Sequence, residues 1–186
     1  VFNGVGGGWT VQDNLTAGNG AGGNTVSITL TNGSLNTNSK PVSTTGGDFN
    51  YVGSGTATLT LGTSTITLGG TGNWNFSTST GLTLSATSST ITGGSTLAIP
   101  SFNGGGLSYG TVILANGNAV TSTVTGNNTF VNLQCLSVTP TTGLMGVVLP
   151  SGGTQTVTGT FTVTGGTYYQ RYFISSSTPG TATTIN

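Results

Sequence analysis

The stretch from Thr58 to Gly70 reads TLTLGTSTITLGG, and the stretch from Leu82 to Gly94 reads LTLSATSSTITGG. In both, leucine and isoleucine alternate with threonine and serine, so apolar side chains recur at every second residue. This period-two alternation is typical of a β-strand with one buried face, because successive side chains of a strand point to opposite sides. Neither stretch contains a charged residue, so hydroxyl groups must form the side that faces water.

The same alternation recurs along most of the chain. Further pairs of apolar residues two positions apart are Ile28 and Leu30, Val112 and Leu114, Val131 and Leu133, Val147 and Leu149, and Phe161 and Val163. No segment shows apolar residues at the i, i+3, i+4 and i+7 spacing of an amphipathic helix, and strong helix formers are scarce. Pairs such as Gly-Gly and Asn-Gly separate the runs as turns. The sequence therefore predicts an all-β protein.

The two quoted stretches also repeat at a nearly fixed distance, since Leu59 recurs as Leu82, Leu61 as Leu84, and Ile66 as Ile91. All three steps fall at the short end of the recurrence of about 20 to 50 residues that is typical of solenoids. In a solenoid each unit buries its apolar face only by stacking on the next. The repeat therefore indicates a stacked array of short strands.

The repeat is not strict. An aromatic residue follows each copy, Phe76 in the first and Phe102 in the second, but the next step, from Leu84 to Val112, is longer. We predict a β-solenoid, similar to a parallel β-helix, with irregular coils of about 20–28 residues.

An antiparallel β-sandwich or jelly roll is the alternative fold, since it also uses short alternating strands separated by turns. The chain shows no composition shift that would mark a linker, so residues 1–186 are expected to form a single β-rich domain. The Gly-rich segment 1–24 is expected to be a lead-in or the first coil. Because Val1 is not an initiator methionine, we expect the chain to be processed or a segment of a longer one.

Charge is almost absent from this chain. Asp13, Lys40, Asp48 and Arg171 are the only charged residues, and there is no histidine or glutamate. Two basic residues cannot neutralise the several phosphates that nucleic-acid binding requires, so we predict no nucleic-acid partner. The longest apolar stretch, Gly143–Leu149, is far shorter than the roughly 20 residues of a membrane-spanning helix. A neutral surface gives copies of the chain little mutual repulsion, which favours association.

The composition also argues against catalysis. Ser108 lies in a G-x-S-x-G motif (GLSYG), but a nucleophilic serine normally needs a histidine base. Asp13 and Asp48 are the only carboxylates, and both lie in turn-like sequences, DNLTAG and GGDFN, where aspartate commonly caps the backbone. We therefore predict no enzyme, no catalytic residue, no metal site and no cofactor. Polysaccharide cleavage by Asp13 and Asp48 is the remaining enzymatic hypothesis.

An aromatic segment near the C-terminus is the best candidate binding site. It comprises Tyr168, Tyr169, Arg171, Tyr172 and Phe173. Aromatic residues and arginine are enriched at binding hot spots, and flat rings stack on sugars. Alternation places Tyr168 and Tyr172 on one face and Tyr169, Arg171 and Phe173 on the other. The site would contact either a glycan or another subunit.

Three other conspicuous side chains are predicted to have packing roles. Cys135 lies in VNLQCLSV on the same face as Val131 and Leu133, so we expect a small buried hydrophobic residue. Trp9 and Trp74 are expected in the core or at an interface.

Several phrases resemble phage virion proteins. GNNTFVNLQ (Gly126–Gln134), LPSGGTQTVTGTFTVTGG (Leu149–Gly166) and SSSTPGTATTIN (Ser175–Asn186) are similar to segments of β-helical fibre, spike and appendage proteins of phages. The low-charge Gly/Thr/Asn composition is also similar to bacterial surface repeats of the filamentous-haemagglutinin kind. The resemblance implies an extracellular structural role and transfers no catalytic residue.

The sequence as a whole therefore predicts a non-enzymatic structural protein of an extracellular assembly. The resemblance implies a phage virion as the setting, with the chain as a tail fibre, appendage or decoration protein that associates with copies of itself or with other virion proteins. The alternative is an adhesin module on a bacterial surface protein or filament, which binds a host surface or its glycan.

Overall fold

Every regular element in the described part of the chain is a β-strand. The computed structural model describes residues 1–18, 25–53, 55–94, 98–116, 121–137, 145–165 and 171–186. Its strands are β1 (Phe2–Thr10), β2 (Leu15–Ala17), β3 (Ile28–Asn36), β4 (Val42–Thr44), β5 (Phe49–Tyr51), β6 (Ala57–Thr60), β7 (Thr65–Leu68), β8 (Trp74–Asn75), β9 (Leu82–Ser85), β10 (Thr90–Gly93), β11 (Ser101–Asn103), β12 (Ser108–Asn116), β13 (Thr121–Thr125), β14 (Thr129–Ser137), β15 (Met145–Leu149), β16 (Thr154–Thr164), β17 (Tyr172–Ser176) and β18 (Thr184–Ile185).

All pairings among these strands are parallel. The number of residues that separates two paired positions along the chain varies from turn to turn. It is smaller for the pair Ile28 and Phe49 than for the pair Thr154 and Thr184, which are the farthest apart. Each strand thus lies beside the equivalent strand of the next turn. The predicted β-solenoid is confirmed, and the antiparallel sandwich is excluded because its strands would pair in opposite directions.

The strands form two sheets. A ten-stranded first sheet runs in the order β17-β15-β13-β11-β8-β5-β3-β6-β9, with β1 also on β3. An eight-stranded second sheet runs in the order β18-β16-β14-β12-β10-β7-β4-β2. Residues of segment 1–24 that the structure describes contribute β1 to the first sheet and β2 to the second.

The first sheet divides at β3. The N-terminal part of β3 pairs with β5, through Ile28 and Phe49, whereas its C-terminal part pairs with β6, through Leu35 and Leu59. Gly33 lies between the two parts with a φ of +86°, and a Cβ there would come within 2.4 Å of a neighbouring carbonyl oxygen. The strand therefore needs glycine at this position. One turn then consists of β5, β6 and β7, and the next of β8, β9 and β10.

The interior is built from columns of equivalent residues. The central column, which runs through the second sheet, contains Leu15, Val42, Ile66, Ile91, Val112, Leu133 and Phe161. Its five middle members are at most 1% exposed. Their outward neighbours are mostly threonine, serine or asparagine, so the period-two alternation has the predicted meaning: apolar side chains inside and hydroxyls outside.

An aromatic cluster fills the interior beside the first sheet. Trp74 is fully buried, and its ring centroid lies 5.0 Å from that of Phe49, 4.3 Å from Phe76 and 6.2 Å from Phe102. The Tyr109 ring packs edge-on against Trp74 at 6.0 Å. Aromatic pairs at these separations add stability beyond the area that they bury. The predicted packing role of Trp74 is confirmed; Trp9, on β1, is half-buried against Phe2.

Candidate functional site

The described end of the aromatic segment, from Arg171 to Phe173, lies at the start of β17, next to β15 in the first sheet. Tyr168 and Tyr169 lie outside the described residues, so the structure places three of the five predicted residues. Arg171 is exposed, Tyr172 is half-buried and Phe173 is 49% exposed. Alternation along β17 therefore separates Tyr172 from Phe173, as the sequence predicts.

Tyr172 faces the interior. It pairs with Met145 in the sheet, packs against the core, and makes a side-chain hydrogen bond with Cys135. Phe173 lies opposite Gly146, and a Cβ on Gly146 would collide with the Phe173 carbonyl oxygen, so glycine allows the β17 backbone to approach closely here. Of the two described rings in this segment, Phe173 is thus the more accessible to a ligand, and Tyr172 has a packing role.

Cys135 is a buried thiol, as predicted. It is fully buried in a column between Leu114 and Val163. The pKa of the Cys135 thiol is raised from 9.0 to about 11, because burial disfavours the thiolate. The hydrogen bond with Tyr172 acts in the opposite direction and offsets only part of this effect. The neutral thiol is therefore the form that the folded protein holds at physiological pH.

We expect Cys135 to resist alkylation in the native protein. Thiolate is the reactive form, and a pKa of about 11 in place of 9.0 lowers its population roughly a hundredfold at pH 8. Burial reduces access further. Mass spectrometry after iodoacetamide treatment at pH 8 should show slow modification in native buffer and rapid modification in denaturant. Equal rates in the two conditions would contradict the interior position.

The two carboxylates lie at different corners of the solenoid. Asp13 is exposed in the turn between β1 and β2. Asp48 precedes β5, and its Oδ1 accepts hydrogen bonds from the backbone N–H of Asn73 at 2.8 Å and from the Asn73 side-chain amide at 3.0 Å. Asp48 thus caps a backbone N–H, as predicted, but that N–H belongs to the equivalent turn of the next coil and not to its own turn.

Ser108 begins β12 and is exposed, paired in the sheet with Thr129. Ser108 opens the strand Ser108–Asn116 and not a helix, so the strand-to-helix turn of a G-x-S-x-G nucleophile is not formed. The described residues contain no group of three or more histidine, cysteine, aspartate or glutamate side chains that could hold a metal ion. They also contain no helix long and apolar enough to cross a membrane.

Two buried polar clusters were not foreseen from the sequence. In the first, the Tyr109 hydroxyl accepts a hydrogen bond from the Trp74 indole N–H at 3.2 Å and donates to the Gly104 carbonyl at 2.7 Å. Burial raises the pKa of Tyr109 well above its usual value, so the phenol stays neutral. This cluster fixes aromatic rings from consecutive turns in a single arrangement.

The second buried polar cluster pairs two amide side chains. The Asn128 amide donates to Gln155 Oε1 at 3.1 Å, and the Gln155 amide donates to the Gly126 carbonyl at 2.7 Å. Asn128 Oδ1 in turn accepts from the Gly106 N–H at 3.0 Å. The two side chains, at most 1% exposed, thereby connect three consecutive turns at one corner. Both clusters have satisfied polar groups and hold the fold together.

Comparison of the chain with models of known protein families, with curated proteins and with solved structures gives no match.

Proposed function

We propose that this chain is a non-enzymatic structural protein of an extracellular assembly, in which it forms a stiff β-solenoid segment. The setting that we propose is a phage virion, with the chain as part of a tail fibre, an appendage or a decoration. Its partners are copies of itself or other virion proteins. It acts mechanically, by holding its shape and offering surface for contact.

The parallel pairing of β2 through β18 in the second sheet is the observation that carries this proposal. Backbone hydrogen bonds join each turn to the next, and the central column fills the interior with apolar side chains. Stability in such a stack is a sum of contacts between neighbouring turns, so bending or opening one turn breaks contacts on both of its sides. A stiff and protease-resistant element is the expected consequence.

The outer surface supports the proposed role in an assembly. With two basic and two acidic residues in the whole chain, copies of the chain repel each other little, and surfaces of hydroxyl and amide groups are left for contact. The proposed extracellular and virion location depends on the resemblance of residues 126–134, 149–166 and 175–186 to phage β-helical proteins.

Sizing with light scattering, followed by negative-stain electron microscopy, tests the assembly role. We expect ordered oligomers or fibres whose proportion rises with protein concentration. A monodisperse monomer at the highest soluble concentration would contradict it. Immunogold labelling of phage particles with antibodies against this chain tests the location; label on cell surfaces alone would favour the bacterial alternative.

The exposed pair Arg171 and Phe173 favours glycan adhesion as a second candidate function. Phe173 is a half-exposed aromatic ring on an outer face, and Arg171 lies two residues before it. Such a ring can stack on a sugar while the guanidinium binds its hydroxyl or acidic groups.

Substitution of Phe173 tests the adhesion candidate. Phe173→Ala should abolish binding on a glycan array or to host cells, because it removes the exposed ring without touching the core. Val52→Ala is the matched control, since Val52 is also exposed (57%) but lies in a different turn. Equal binding by the wild type and both variants would contradict a role of this ring in adhesion.

A further inference from the structure

The outer side of the second sheet carries a regular array of hydroxyl side chains. One column contains Thr16, Ser43, Thr67 and Thr92, and the adjacent column contains Thr65, Thr90 and Thr111; successive members of each column are register partners in neighbouring strands. We call these seven residues the threonine face. The array ends at β12 and β14, where Ile113 and Gln134 continue the first column.

The spacing of this array is set by the backbone. Neighbouring strands lie about 4.8 Å apart, and residues two positions apart on one strand lie about 6.7 Å apart. Threonine is β-branched and restricted at χ1, so its hydroxyl and methyl group keep nearly the same orientation from one turn to the next. Ile66 and Ile91, between the columns, are fully buried in the central column, which anchors the array to the rigid interior.

Several hydroxyls of the threonine face have no protein partner among the described residues. This holds for the side chains of Thr65, Thr67 and Thr90, of which Thr65 is exposed and the other two are half-buried. Thr111 accepts from the Asn132 amide at 3.2 Å, and Thr92 donates to the Gly93 carbonyl at 3.0 Å. The centre of the array therefore offers free donors and acceptors to the solvent side.

No charged residue occurs on β2, β4, β7, β10 or β12. An uncharged, rigid and periodic array is an unusual surface for a soluble ligand, which would be held better by a pocket or by a few charged groups. It suits a partner that is itself uncharged, flat and periodic, because each weak hydrogen bond is then repeated in register many times. Ordered water at the surface of ice has these properties.

We propose that the threonine face binds the surface of ice. Oxygen atoms on a face of hexagonal ice repeat at fixed spacings in two directions, as the hydroxyls of the threonine face do along and across the strands. Threonine hydroxyls would take lattice positions of water, and the methyl groups would fill the spaces between them. This activity is independent of the proposed structural role and would limit ice growth around the assembly.

The other outer sides fit this partner less well. On the first sheet the corresponding column contains Asn50, Asn75 and Asn103, and the Asn103 amide already bonds to Asn75 Oδ1 at 3.4 Å. Thr58 and Thr83 begin a smaller array on β6 and β9, and among the described strands β9 pairs with β6 alone. We therefore assign ice binding to the threonine face and not to the other outer sides.

Ice growth in the presence of the purified chain tests the proposal. Single ice crystals viewed in a nanolitre osmometer should become faceted and stop growing over a temperature interval, and recrystallisation should be slowed. Thr67→Lys should remove these effects, because its long charged side chain stands above the array. Thr123→Lys is the matched control, because Thr123 is half-exposed on the outer side of the first sheet. This variant should still facet ice crystals, stop their growth and slow recrystallisation.

Circular dichroism and thermal melting establish that each variant is folded, and Thr90→Lys replaces Thr67→Lys if the latter does not fold. Ice growth indistinguishable from that in an equal concentration of serum albumin would overturn the proposal. So would equal activity of Thr67→Lys and Thr123→Lys, since the activity would then not reside on the threonine face.

Discussion

Leu59→Asp is expected to prevent this chain from folding, whereas Thr58→Asp, one residue away, is expected to leave it folded. Leu59 is fully buried between Leu35 and Leu84 of the neighbouring turns. A carboxylate there would have no cationic partner, which costs about 3–5 kcal/mol, and the lost apolar contacts add a further 2–5 kcal/mol or so. Together these match the whole stability of a typical domain, about 5–15 kcal/mol.

Thr58 is the control because it belongs to the same strand but points outward, beside Ser34 and Thr83. A solvated aspartate at this position loses mainly β-propensity, which amounts to about 1 kcal/mol or less. Circular dichroism and guanidinium unfolding of the two variants measure the difference. Similar behaviour of Leu59→Asp and Thr58→Asp would show that the two sides of β6 are not distinct.

Trp74→Ala is expected to lower the free energy of unfolding by about 3–5 kcal/mol, the range for a large aromatic residue removed from a core. Trp74 is fully buried and contacts rings from its own turn and both neighbouring turns, Phe49, Phe76 and Phe102. Its removal also leaves the Tyr109 hydroxyl without its indole donor. The loss should appear as a shift of the guanidinium midpoint with little change in slope.

Trp9→Ala is the matched substitution, since Trp9 is half-buried on the first turn and its ring contacts Phe2 at 5.3 Å. Removing a half-buried side chain should cost about 1–2 kcal/mol. A larger effect of Trp9→Ala than of Trp74→Ala would contradict the position of the aromatic cluster at the centre of the molecule.

The fold could be predicted from the sequence because the alternation and the repeat both depend on burial. The repeat predicts that Ile66 and Ile91 are equivalent, and they are register partners. For Leu59 the predicted register is wrong: the repeat places Leu82 opposite it, but the structure pairs Leu59 with Leu84 and Ala57 with Leu82. A shift of two residues keeps every side chain on the same face, so hydrophobic pattern alone cannot distinguish these registers.

The sequence pattern also predicts the wrong pairing partner where the chain between two strands passes a corner of irregular length. The pattern treats Val112 as the equivalent of Leu84, whereas Val112 pairs with Ile91 in the structure. Similarly, Phe102 lies opposite Trp74, and not opposite Phe76. Turn lengths vary from coil to coil, so the distance along the chain does not tell which of the strands in a turn an apolar residue occupies.

In the candidate site, too, the sequence predicts which face a residue occupies but not which residue it contacts. Alternation was sufficient to separate Tyr172 from Phe173, but it could not tell that Tyr172 would reach Cys135 or that Gly146 would lie opposite Phe173. The hydrogen bond between Asn128 and Gln155 could not be predicted either, because the two residues are far apart in the chain and asparagine and glutamine normally lie at the surface. Such contacts depend on the register across turns, which the sequence does not specify.

Disulfide formation between cysteines placed at positions 67 and 92 tests most directly whether successive turns stack in the described register. The structure pairs Thr67 with Thr92 in adjacent parallel strands, about 4.8 Å apart and within the range that a disulfide spans. Thr67→Cys combined with Thr92→Cys should therefore oxidise readily to an intramolecular disulfide. Thr67→Cys combined with Gln134→Cys, three strands away and about 14 Å apart, should not. Efficient bridging of 67 with 134, or none between 67 and 92 in the folded protein, would contradict the stacked solenoid.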